Sequence, residues 1–170
     1  MLHDQEAEQF MRAALAVAAE GLSRGELPVG AVVVLNGAVI ASAHTMERSA
    51  RRLLVHADYL ALDAADRLQP FPGRRRDAKL FVTLEPCLMC LGAAMTFGVG
   101  EVYYALESPS DGAVALMQQW QRREVDFPSY QAPQTHGGLL RDDAQRLFRT
   151  YVAQHSSGAM WEWARTVAAL

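Results

Sequence analysis

The chain has 170 residues, 51% apolar and 21% charged, with a net charge of -3 and a pI near 5.9. That is the composition of one globular domain, spanning residues 1–170; it excludes a disordered segment and argues against a surface built for general nucleic-acid binding. Two cysteines three positions apart exclude a disulfide scaffold, and no apolar run is long enough to span a bilayer.

The acidic start, residues 1–10, lacks the basic stretch and apolar core of a signal peptide, so a cytoplasmic protein with no membrane partner is expected. Residues 4–22 carry apolar side chains at helical spacing, with Gly25 as the stop. Val29–Leu35 and Ala38–Ala43 read as strands joined by a tight Asn36-Gly37 hairpin turn. A loop with Arg48, Arg51 and Arg52 leads to a helix from His56 to about Leu68. The stretch Gln69–Asp77, rich in Pro and Arg, reads as a loop, and Lys79–Leu84 as an apolar strand. Pro86 suits the first position of a helix running to about Phe97, and Glu101–Ala105 is the next strand. Ala113–Arg123 is expected to be helical, and a short strand falls near Tyr130–Thr135, with Pro133 marking an edge. Helices over Arg141–His155 and Ala159–Leu170 complete the chain. A hairpin followed by βαβ crossovers predicts an α/β fold with a mixed sheet covered on both faces.

Two segments carry chemistry: His56-Ala57-Asp58 and Glu85-Pro86-Cys87-Leu88-Met89-Cys90. Cys87 and Cys90 are i, i+3 on one helix face, so both sulfurs reach one ion. Unpaired backbone N–H groups at the helix start favour thiolate. Thiolates with an imidazole select zinc. Three protein ligands leave a fourth position for water, the mark of catalytic zinc. Asp58 then stands two residues from the ligand His56, as a proton shuttle that the helix N-terminus keeps ionised. Two other readings of these residues remain open: a redox Cys pair, and structural zinc completed by His44 or His136.

These residues resemble the zinc-dependent cytidine deaminase superfamily, whose signature is H-x-E followed by P-C-x-x-C. Leu27-Pro28-Val29-Gly30-Ala31-Val32 and the run from Thr83 to Ala93 look like the bacterial tRNA adenosine deaminase and guanine deaminase branch. The similarity covers roughly residues 7–152. It implies a three-layer α/β/α fold with a five-stranded mixed sheet, assembled as a homodimer. It implies one zinc per chain on His56, Cys87 and Cys90, and Asp58 as acid/base. By the same resemblance, Val29 packs on the base face and Thr45 meets its edge. Backbone groups of Ala57 and Cys87 orient water or ring, Leu54 and Pro86 add substrate contacts, and 147–151 close over the ligand. Three departures stand out. Asp58 replaces the family Glu, and Arg51-Arg52-Leu53-Leu54-Val55 replaces Asn-Asp-Pro-Thr-Ala. Thr45, eleven residues before His56, replaces a base-holding Asn.

The implied reaction is hydrolytic deamination. The first reading takes a free nucleobase or nucleobase-like heterocycle as substrate, or its nucleoside. The second takes adenosine in tRNA, for which the last 30 residues, with four Arg against three acids, are weakly basic. The third is a zinc-binding protein without activity, because Asp58 is short. Of the tryptophans, at least two of Trp120, Trp161 and Trp163 are expected in the core.

Overall fold

The computed structural model describes residues 4–70, 75–123 and 130–170. Part of the predicted Arg-rich loop, including Arg74, lies outside them. The chain opens with α1 (Asp4–Ser23), then β1 (Gly30–Leu35) and β2 (Ala38–His44). Asn36 and Gly37 both take positive φ, 53° and 74°, as the two-residue hairpin requires. A short α2 (Glu47–Ala50) precedes α3 (Ala57–Arg67). Then come β3 (Lys79–Leu84), α4 (Leu88–Phe97), β4 (Glu101–Leu106) and α5 (Val114–Gln118). The chain ends with β5 (Gln134–His136), α6 (Arg141–Gln154) and α7 (Ala159–Ala168).

The sheet is mixed and five-stranded, in the order β2-β1-β3-β4-β5. β1 runs antiparallel to β2 and β3, and β3, β4 and β5 are parallel. Strand residues alternate between two cores. Val32, Val34, Phe81 and Tyr103 face Phe10, Met11 and Phe148 on one side. Ala31, Val33, Leu80, Val82 and Val102 face Ala61, Leu62, Leu91 and Met95 on the other. The predicted α/β fold with helices on both faces is the observed one.

The differences are local. α2 lies where the sequence predicts a loop; it is held by Glu26, only 2% exposed, whose carboxylate accepts the N–H groups of Arg48 (3.0 Å) and Ser49 (2.7 Å). α5 is shorter than the predicted Ala113–Arg123. β5 begins after Pro133, which has no N–H to give a ladder. α4 begins at Leu88, so Pro86 precedes the capping residue Cys87.

One contact aims the first strand. A Cβ on Gly30 would meet Ala18 N at 2.4 Å, so glycine lets α1 lie directly on β1. Beside it, Thr83 Oγ1 accepts Gly30 N–H (3.1 Å) and donates to Pro28 O (3.2 Å). This buried bridge fixes the segment that carries Val29.

Candidate active site

His56 caps α3 and Cys87 caps α4, both with extended backbone, so two helix N-termini converge beyond the end of β3. Cys90 lies in the first turn of α4. His56 Nδ1 is 3.6 Å from Cys87 Sγ and 3.7 Å from Cys90 Sγ. A tetrahedral ion with Zn–S near 2.3 Å and Zn–N near 2.1 Å separates N from S by about 3.6 Å. The donors therefore already stand at zinc spacing, and two sulfurs with one imidazole are a zinc set. Among the described residues the cluster holds these three. His44 turns instead to Thr45 O (2.7 Å), and His136 stacks on Tyr103.

The groups tune one another. Hydrogen bonding from Cys90, with His56 alongside, holds the Cys87 thiol down to about 4 against its own burial. The same contact and burial push the Cys90 thiol up. His56 is raised to about 9, chiefly by its bond to Cys87, with Glu47 and Asp58 adding to it. Asp58 is 4% exposed and accepts the Tyr59 N–H (3.1 Å). Burial raises its carboxyl from the ordinary value, against the lowering contacts of Cys90, His56 and the Tyr59 N–H.

A cavity of about 300 Å³ opens at this cluster, within the range of small-molecule sites. Leu27, Val29, Leu84, Met160 and Trp163 supply its apolar wall, and Glu47, Asp58, Glu85 and Asp111 its acids.

The family model for the cytidine and deoxycytidylate deaminase zinc-binding region matches residues 4–106. The chain belongs to this family. It is 35% identical over 117 residues to a tRNA-specific adenosine deaminase of Bacillus subtilis (strain 168), covering 69% of this chain and 72% of the relative. A solved structure from work on A-to-I editing by tRNA:A34 deaminases superposes with a TM-score of 0.67 at 33% identity, covering 82% of this chain and 98% of that one. Guanine deaminase from Nitrosomonas europaea superposes with a TM-score of 0.66 at 25% identity, covering 85% and 83%. Zinc is the cofactor of this family's site, and His56, Cys87 and Cys90 fit it.

Within this family's frame, the expected substrate contacts fall into two groups. Val29, Thr45 and Ala57 line the cavity beside Asp58. Thr45 does so with its hydroxyl engaged, 3.1 Å from Glu47 Oε2 and 3.2 Å from Val55 O. Leu54 does not line it: the bends before α3 turn it outward, and it is 61% exposed. Pro86 is buried behind the wall, its carbonyl accepting the Ala113 N–H at 3.0 Å.

Several wall residues were not anticipated. Glu85 lines the cavity, but its two oxygens accept the N–H groups of Ser108 (3.1 Å) and Val114 (3.0 Å) and brace that loop. The expected closing segment, 147–151, instead buries Phe148 and Tyr151 in the core. α7 takes its place at the cavity through Ala159, Met160 and Trp163, and Trp163 Nε1–H donates to Ser110 Oγ at 2.8 Å. Spacing could have suggested this: Met160, Trp163, Ala164 and Val167 form one helix face. Glu47 had no such signal.

Proposed function

We propose that this deaminase-family chain acts on a free nucleobase or a nucleobase-like heterocycle, in the cytoplasm, as one domain over residues 1–170. The observation that carries the reading is the lining of the cavity. Among the described residues it contains acids and apolar groups and no Lys or Arg. Such a wall accepts the amino and imino hydrogens of a base and offers no guanidinium or ammonium group to a phosphate.

When bound, zinc lowers the pKa of water to about 7 and so supplies a nucleophile at neutral pH. That chemistry would be hydrolysis at an amine-bearing ring carbon, with release of ammonia. Asp58, buried beside the cluster, would take one proton of that water and give it to a ring nitrogen, then take the second and give it to the amine that leaves as ammonia. Val29 would pack on the ring face, and backbone groups of Ala57 and Cys87 would orient the water or the reacting ring.

The second reading, adenosine in tRNA, is favoured by the names of the adenosine deaminase relatives. Against it, the two described arginines of the basic loop are engaged within the chain. Arg75 pairs with Asp66 at 2.5 Å and stacks on Phe97, while Arg76 donates to Val99 O at 2.9 Å. Incubating zinc-loaded protein with free bases, nucleosides and deacylated tRNA separates the two. The expected result is faster ammonia release from at least one free base than inosine formation in tRNA. Inosine forming faster than every base reacts would transfer the assignment to the second reading.

A homodimer is part of the same proposal. α4 buries Cys90, Leu91, Ala94 and Met95, while Leu88 on its other side is 57% exposed. Met89, Ala93 and Phe97 join Tyr59 and Leu62 of α3 along a groove. A helix apolar on both sides is covered on both. Light scattering should return twice the 18.7 kDa chain mass, and one chain mass at micromolar concentration would contradict it.

A further inference from the structure

Glu47 sits in α2, an element the family signature does not include, yet it reaches the zinc cluster. His56 turns Nδ1 toward the two sulfurs, which leaves Nε2 as its outward nitrogen. Glu47 Oε1 lies 3.8 Å from that Nε2. The other carboxylate oxygen, Oε2, accepts the hydroxyl of Thr45 at 3.1 Å. Both oxygens of Glu47 thus face groups of this chain.

The frame that carries Glu47 is tied down on both sides. Thr45 N–H donates to Val29 O (3.0 Å) and Met46 N–H to Val55 O (3.1 Å). Val55 immediately precedes the ligand His56, so the two segments move together. Glu26 holds the backbone of Arg48 and Ser49 from beneath.

We propose that Glu47 is a positioning residue for the metal site, accepting the Nε2–H of His56 and holding its Nδ1 lone pair toward the ion, with Thr45 anchoring the carboxylate. The inference deepens the zinc-deaminase reading and rests on it. At 3.8 Å the contact is an ion-pair approach, and closing it by about 0.8 Å makes a hydrogen bond. A carboxylate on the outer nitrogen fixes the tautomer and raises the basicity of the ligating one; losing such a partner typically weakens metal binding about 10–100-fold. Thr45 then serves the metal side of the cavity wall, its single hydroxyl proton shared between Glu47 Oε2 and Val55 O.

The test is zinc affinity by competition with a chromogenic chelator, for wild type, Glu47→Ala and Glu47→Gln. Glu47→Ala should bind zinc about 10–100-fold more weakly. Glu47→Gln, whose amide oxygen still accepts Nε2–H, should fall between it and wild type. Long-range proton–nitrogen spectra of the zinc-loaded proteins give a second readout. The His56 Nε2–H proton should move upfield in Glu47→Ala and partly return in Glu47→Gln. A Glu47→Ala affinity within twofold of wild type, or a Gln variant no better than Ala, overturns the proposal. Melting of the chelator-treated proteins reports folding. If Glu47→Ala does not fold, a Gln variant with wild-type affinity and an unmoved Nε2–H signal overturns it. Wild-type protein that binds no zinc would instead defeat the deaminase reading itself.

Discussion

Asp58→Ala is expected to abolish ammonia release from the best substrate while leaving zinc at one ion per chain. Asp58 is buried at the second position of α3, two residues from the ligand His56, and its carboxyl lines the cavity. It belongs to no group of candidate ligands, so its removal spares the metal. An uncatalysed proton transfer typically costs about 10²–10⁴-fold. The companion variant, Asp58→Glu, reads the pocket. Aspartate carries its carboxylate about one C–C bond, roughly 1.5 Å, short of the family Glu on the same backbone. A misplacement of about 1 Å can cost on the order of 100-fold. A faster Asp58→Glu enzyme means a pocket of ordinary family shape served by a short acid. A slower one means a cavity shaped around aspartate, with Thr45 in place of the family Asn. Full activity in Asp58→Ala would assign the proton transfer to another group.

Cys90→Ala is expected to have the larger effect on the metal. Cys90 is fully buried, 3.7 Å from His56 Nδ1, and held by the first turn of α4. Removing it leaves two ligands of three on a site that needs converging donors. Complete zinc sites in peptides bind with about 10–16 kcal/mol, so the loss of one ligand is on the order of several kcal/mol, or 10³-fold or more in affinity. Emission spectrometry after dialysis should find zinc near zero in the variant and near one per chain in wild type. Zinc should also raise the melting temperature of wild type and not of the variant. Stoichiometric zinc in dialysed Cys90→Ala would remove Cys90 from the ligand set.

The features legible in the sequence are those set by short-range geometry. Asn36-Gly37 marks its hairpin because both residues tolerate positive φ. The Cys87–Cys90 spacing places two sulfurs on one helical turn whatever surrounds them. His56 was legible as a partner through the signature it completes. What escaped depends on residues distant in sequence. α2 is held by Glu26, more than twenty residues earlier, so nothing in 47–50 marks a helix. Glu47 enters the site only because that helix forms. The amphipathic pattern of α7 was visible, but its docking on Ser110 and the cavity mouth was not. Leu54 was expected in the pocket because its run replaces the family's Asn-Asp-Pro-Thr-Ala; it is instead 61% exposed, turned to solvent by the bends ahead of α3. For Asp58, the N-terminal helix position was legible, while the burial that raises its carboxyl required the packed fold.

The most direct measurement is ammonia release from the panel of bases, nucleosides and tRNA, made on zinc-reconstituted protein and on the same protein after chelation. The account predicts release from at least one free base with zinc present, loss of that release on chelation, and its return when zinc is restored. Release that persists unchanged after the zinc has been removed, or no release from any substrate by protein holding one zinc per chain, would contradict it.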